Sequence, residues 1–171
     1  MNEGLYYCKD LNEKGVTIWH WRVLSQLVEA DSIESIMTRM VETVKPAESL
    51  KTALNRIVAR SIGSIVVVEK DEPVGILTER DISRSVVKGT SALKRQVKNV
   101  MSSPLITISA TESVHDAMTL MLKHGIRRLP VVKQGKLVGI VSERDVLRWV
   151  LRVSYEPHIP SEIKEILESR N

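Results

Sequence analysis

Two short strings in this sequence carry side chains able to do chemistry at a fixed spacing. They are Thr78-Glu79-Arg80-Asp81 and Ser142-Glu143-Arg144-Asp145, each preceded by an apolar run broken by a glycine, Gly75 or Gly139. If a helix starts after the hydroxyl residue, Thr78 and Asp81 lie three apart on one face, as do Ser142 and Asp145. A carboxylate held there can accept hydrogen bonds from both hydroxyls of a ribose. A helix amino end with a hydroxyl beside it suits a phosphate, and Arg80 or Arg144 adds positive charge. Gly75 permits a close backbone approach. The same residues have an ordinary structural use, because Thr-x-x-Asp and Ser-x-x-Asp are also helix capping boxes. The two roles do not exclude each other.

The elements that must position these residues occur twice. A shift of 64 residues aligns Met37–Arg84 with Met101–Arg148 without a gap, and 15 of the 48 pairs are identical, among them Met37/Met101, Thr43/Thr107, Ile62/Ile126, Gly75/Gly139 and Asp81/Asp145. Such an ungapped match marks a tandem duplication. In each copy a short extended piece (Glu42–Val44; Ile106–Ile108) leads into a helix. Its apolar residues are Leu50, Ala53, Leu54, Ile57 and Val58 in the first copy and Val114, Ala117, Met118, Met121 and Leu122 in the second. Steps of three and one define a single helical face. Ser109 and Glu112 form a candidate capping box for the second copy, with Lys45 in place of the serine in the first. Two apolar runs follow, Ile65–Val68 with Val74–Leu77, and Leu129–Val132 with Leu137–Val141, joined by turn-like EKDEP and KQGK. A second helix is expected from near Thr78 and near Ser142. The predicted order is β-α-β-β-α, twice, an α+β (α/β) fold.

One copy of about 60 residues buries too little surface to stand comfortably alone. Two copies most simply share a core about a pseudo-twofold axis. The expected division is an N-terminal helical extension over 1–32, the copies over 33–90 and 91–152, and a C-terminal helical tail over 153–171. Helices are expected at Val16–Ala30 and Ser161–Glu168.

Composition narrows the function. The chain has 171 residues, 43% hydrophobic and 27% charged, as in an ordinary globule. No apolar run approaches the roughly 18 residues of a membrane span, and the opening residues do not read as a signal peptide. A single cysteine, Cys8, excludes an intrachain disulfide, and a cytoplasmic setting is the expectation. The net charge of +4 is uneven: residues 33–151 hold 19 basic and 12 acidic groups, while both ends are acidic. A basic middle points to anionic partners or to a solvated surface of mixed charge.

The strings VGILTERD and VGIVSERD, the segment HGIRRLPVV and the methionine opening each copy together resemble a tandem pair of cystathionine-β-synthase (CBS) domains, a Bateman module. The resemblance covers roughly residues 33–152. It implies a non-enzymatic regulatory sensor that binds AMP, ADP or ATP, or alternatively S-adenosylmethionine or NADH, in clefts between the copies. It also implies a homodimer acting on a separate protein, with no cofactor required beyond the adenosine ligand. In such pairs each cleft takes its ribose-facing aspartate from one copy and its base- and phosphate-facing residues from the other. Carried over, site A combines Ile76, Thr78, Arg80 and Asp81 with Thr107, Ile126, Arg127 and Arg128. Site B combines Ile140, Ser142, Arg144 and Asp145 with Thr43, Ile62, Gly63 and Ser64. The copies depart from each other at Gly63-Ser64 against Arg127-Arg128. Charge-assisted contacts contribute about 1.5–3 kcal/mol each, so site A is expected to favour phosphate and bind more tightly.

Rival signals are weaker. His20, His115, His124 and His158 lack metal-ligand spacing, and no Gly-rich phosphate loop or supported Ser/His/Asp arrangement occurs. Catalytic and metal residues are therefore not expected. Nucleic-acid binding through the basic middle and its linker (Lys88, Lys94, Arg95, Lys98) is a second reading. Against it, the repeat holds one aromatic, Trp149, too few for a stacking platform. A ligand-free scaffold is a third. The expected outcome is weak binding to duplex DNA that falls steeply as salt rises, with AMP binding surviving the same salt better. Filter binding across a salt series checks it; sequence-specific nanomolar affinity at physiological salt would overturn the sensor reading.

Overall fold

The computed structural model describes residues 31–87 and 89–155. The helices expected at Val16–Ala30 and Ser161–Glu168 lie outside them. A four-residue turn of helix, α1 (Ile33–Ile36), precedes the first copy. That copy comprises β1 (Thr43–Val44), α2 (Leu50–Ala59), β2 (Ser64–Glu69), β3 (Glu72–Thr78) and α3 (Glu79–Val86). The second comprises β4 (Ile108–Ser109), α4 (Val114–His124), β5 (Arg128–Lys133), β6 (Lys136–Ser142) and α5 (Glu143–Tyr155). From residue 89 on, the basic linker is not free chain: two 3-10 turns, Thr90–Lys94 and Val97–Asn99, shape it. Backbone hydrogen bonds from the Leu50 N–H to the Arg95 carbonyl and from the Val97 N–H to the Glu48 carbonyl tie it to the first copy.

Each copy builds a three-stranded sheet, ordered β1-β2-β3 and β4-β5-β6, with a parallel first pair and an antiparallel second. The central strand is covered on both faces, which is why Ile65, Val66 and Val67 form an unbroken apolar run. The hairpin turns place Lys70 and Asp71, and again Gln134 and Gly135, at positive φ, the backbone twist a tight two-residue hairpin requires. Registers coincide too: Ser64 faces Thr78 as Arg128 faces Ser142. Both strings of interest therefore sit where the last strand of a copy becomes its last helix.

Two expectations are corrected. The capping box of α4 is Ser113 with Asp116, one turn beyond Ser109 and Glu112. Glu112 instead accepts the Ser109 backbone N–H at 2.7 Å, and Glu48 accepts that of Lys45 at 2.7 Å. Because the donor is backbone, a lysine serves as well as a serine, so the glutamate recurs where its partner does not. On α2 and α4, Val58 and Leu122 end the apolar stripe but stand 67% and 81% exposed. They lie at the outer margin of a face whose centre is Leu50, Ala53 and Ile57, or Val114, Ala117 and Met121.

The two copies are locked by exchanging their opening segments. Ile33 and Met37 join the core of the second copy, with Ile108, Leu129, Val141 and Trp149. Val97 joins the core of the first, with Leu50, Ile65 and Leu77, and Val100 and Met101 pack against it. Backbone hydrogen bonds fix each crossing: Thr38 exchanges N–H and carbonyl with Ile140 at 2.9 Å, and Ser102 with Ile76 at 2.9 and 3.2 Å. The repeated glycines make room for the repeated methionines. A Cβ at Gly75 would lie 2.6 Å from the Met101 sulfur, and one at Gly139 would lie 2.5 Å from that of Met37. The close approach expected at Gly75 is therefore made by the other copy's methionine. Trp149 adds a tie by donating its indole N–H to Asp31 at 2.5 Å. Gly139→Ala should lower stability by about 1–3 kcal/mol through overpacking. Urea unfolding checks this, and combining it with Met37→Ala should be non-additive, because removing the sulfur makes space for the new methyl.

Candidate functional site

The sequence starts α3 and α5 at the end of a strand by capping their first turns. Thr78 Oγ1 accepts the Asp81 backbone N–H at 3.3 Å, while Asp81 Oδ2 accepts from the Thr78 N–H at 3.0 Å and hydroxyl at 2.6 Å. Ser142 and Asp145 repeat this at 3.4, 2.8 and 2.5 Å. One more amide of each turn is taken across the copy: Glu79 N–H donates to the Gly63 carbonyl, and Glu143 N–H to that of Arg127. Capping is thus a real role of both aspartates. It occupies one carboxylate oxygen; Oδ1 of each accepts no hydrogen bond among the described residues. Both aspartates are half-buried and face a cleft.

The first cleft, of about 320 Å³, brings Ile76, Thr78, Arg80 and Asp81 of one copy together with Ile126, Arg127 and Arg128 of the other. The second, of about 690 Å³, gathers Ile62, Gly63 and Ser64 with Ile140, Ser142, Arg144 and Asp145. The two threonines carried over from the family pattern are not among the lining residues of either cleft. Thr43 pairs with Val66 inside the sheet and lines a different hollow, where its carbonyl accepts Arg56 at 2.6 Å. Thr107 directly precedes β4, and the wall is made just before it, by Pro104, Leu105 and Ile106. Met40, Val41 and Glu42 are their equivalents in the second cleft. These wall residues, with Ser102 and Thr38, escaped the sequence reading because the copies agree in position there but not in identity.

Arginines 127 and 128 are not confined to the first cleft. Together with Gly63 and Glu79 they line both. Burial presses the Arg128 pKa below the usual guanidinium value, and neighbouring Arg127 adds to the effect, while Glu79 and Asp145 oppose it. The charge balance differs between clefts. The first sets four arginines (80, 84, 127, 128) against Glu79 and Asp81. The second sets three arginines against Glu42, Glu79, Glu143 and Asp145. Among the described residues no cluster of acidic, histidine or cysteine side chains could hold a metal, and no helix is long and apolar enough to cross a membrane.

The model of the CBS domain matches residues 33–88 and again 97–152. The chain belongs to the CBS domain family. A CBS domain-containing protein of Bacillus subtilis is 39% identical over 116 residues, covering 67% of this chain and 82% of its own length. Among solved structures, CBSX2 in complex with AMP superposes with a TM-score of 0.65 at 25% identity, covering 72% of this chain and 98% of that one. A CBS domain pair in complex with 5-methylthioadenosine and S-adenosyl-L-methionine does so with a TM-score of 0.63 at 25% identity, covering 70% and 94%. The fold of this CBS pair, two copies about a pseudo-twofold axis, is the fold of those structures.

The cap role of the aspartates has its own outcome. In the absence of ligand, Asp81→Ala, Asp145→Ala and Asp116→Ala should each cost about 0.5–2 kcal/mol, the usual loss for a helix cap. Thermal unfolding measures it. Asp116 is the surface member of the three, with its pKa lowered by the Ser113 hydroxyl and backbone hydrogen bonds. Its contribution is present above the ordinary aspartate pKa and fades as pH falls through the depressed value, so the Asp116→Ala deficit should vanish in strong acid.

Proposed function

We propose that this CBS pair is a non-enzymatic sensor of an adenine nucleotide (AMP, ADP or ATP) that works as a homodimer on a separate protein. The observation that carries the reading is the composition of the first cleft. A capping aspartate keeps one oxygen free for ribose hydroxyls, and Ile76, Leu105, Ile106 and Ile126 offer an apolar slot for a purine. Arg127 and Arg128 supply the cationic end. Two like charges held close, one of them half-buried, gain more from an arriving phosphate than isolated surface arginines do. The AMP complex of CBSX2 supports an adenosine ligand for this fold.

A ligand touching both copies favours whichever arrangement lets both close on it, so the response is a shift of population limited by differential affinity. The second cleft, with carboxylates outnumbering arginines, suits a less anionic ligand. S-adenosylmethionine, with its sulfonium cation, is the alternative there, supported by the pair solved with that ligand. NADH remains an arm of the same screen.

Thermal shift with AMP, ADP, ATP, S-adenosylmethionine and NADH tests the class. A ligand at about 100 times its dissociation constant should add roughly 2.7 kcal/mol of stability. Calorimetry then separates holding a ligand from capping a helix. Asp81→Ala should weaken AMP binding at the tighter site about tenfold or more, since a lost hydrogen bond to a charged group is worth about 1.5–3 kcal/mol. Asp145→Ala should leave that site largely intact. Asp116→Ala removes an equivalent cap that lines neither cleft and should not change affinity. Unchanged AMP binding in Asp81→Ala would sink the assignment.

A further inference from the structure

The two clefts do not have separate cationic ends. Gly63, Glu79, Arg127 and Arg128 line both, forming a saddle between them. Arg128 occupies this saddle because Gly63 has no side chain: a Cβ there would run into the guanidinium, and would also lie 3.4 Å from Glu79 Oε2. Its backbone belongs to the second cleft, in register with Ser142. Its side chain lies over Gly63, and the same glycine is flanked by Glu79, the first residue of the helix that carries Asp81. Glu79, which lines both clefts, and Asp145 of the second act on the same guanidinium.

Without the shared pair, neither cleft has surplus positive charge. The first would keep Arg80 and Arg84 against Glu79 and Asp81, and the second only Arg144 against four carboxylates. Resting on the adenosine-ligand reading above, we infer that Arg128 is one phosphate-binding group serving two clefts, so that a phosphorylated ligand in one opposes a phosphorylated ligand in the other. A guanidinium drawn to one phosphate is withdrawn from the other site. Two phosphates converging on the saddle also repel each other across a short, partly desolvated gap. A nucleoside without phosphate makes no claim on Arg128, so it binds either cleft independently. The pair therefore senses which combination of adenosine compounds is present, not only how much of one.

The test is a linkage cycle by calorimetry on the full chain. Titrated at AMP concentrations below the range of the weakened cleft, Asp145→Ala reports binding to the first cleft and Asp81→Ala binding to the second. For the unaltered chain, the overall constant for two AMP molecules should fall short of the product of the single-cleft constants by tenfold or more. With adenosine as the probe, it should equal that product within about threefold. Gly63→Ala displaces only the far end of a flexible side chain, so the fold tolerates it while Arg128 leaves the saddle with its charge intact. In that background the AMP shortfall should collapse to within about threefold. The sharing is overturned by independent AMP binding in the unaltered chain, by an equal shortfall with adenosine, or by a shortfall that survives Gly63→Ala. A cleft that takes no AMP even alone overturns it as well. Absence of any heat with both AMP and adenosine defeats the sensor reading itself, so the two failures are told apart.

Discussion

Everything in this molecule depends on a methionine lying in the space a glycine leaves open, twice, across the boundary between the copies. Met101 on Gly75 and Met37 on Gly139 bring the opening segment of each copy against the last strand of the other. The strand so gripped is the one that runs on into the capped helix, and the gripping segment runs on into the cleft wall. Ser102 and Ile76 are hydrogen-bonded to each other and both face the first cleft; Thr38 and Ile140 do the same for the second. Packing and site are therefore one construction. A shift in the angle between copies cannot leave the cleft walls where they were, because the residues that set the angle are neighbours of the residues that line the walls.

The aspartates show how a small site economises on residues. A helix start needs an acceptor for its first amides, and the sugar of a nucleotide offers hydroxyl donors. A carboxylate whose Oδ2 is held by a hydroxyl and an amide is fixed in direction before any ligand arrives, which limits the rotamer entropy lost on binding. The cost is that mutation of the site also loosens the helix. Asp116, which caps α4 with the same geometry and lines neither cleft, shows that the motif also serves as a cap alone. What distinguishes Asp81 and Asp145 is their place at the mouth of a cleft built from two copies.

Much of this was legible in the order of residues, for identifiable reasons. Strands with both faces covered are apolar throughout, so Ile65–Val68 and Leu129–Val132 stood out. Helices with one covered face repeat every three or four residues, so α2 and α4 did too. The duplication fixed the register of one copy by the other. The opening methionine was visible, but its destination was not, since nothing local distinguishes a residue packed in its own copy from one packed in its neighbour. The same limit applies to the clefts. Identity between copies exposed Asp81 and Asp145, whereas Pro104, Leu105, Val41 and Glu42 differ between copies because the two clefts differ. The family pattern puts Arg128 in one cleft, by its place in the repeat. That it lines both follows from the space over Gly63, which no local pattern announces.

The exchange of segments also sets an order of assembly. The first copy's core draws on residues 44–101 and so is one continuous stretch of chain. The second copy's core draws on Ile33 and Met37 and then on residues 106–150. The first copy is, in topological terms, an insertion within the second. As the chain is synthesised from its amino end, the early copy can close once Met101 has emerged, while Ile33 and Met37 wait for partners some 70 or more positions later. The unit that begins first is completed last, and its long-range contacts form only after the inserted copy has brought their two ends together.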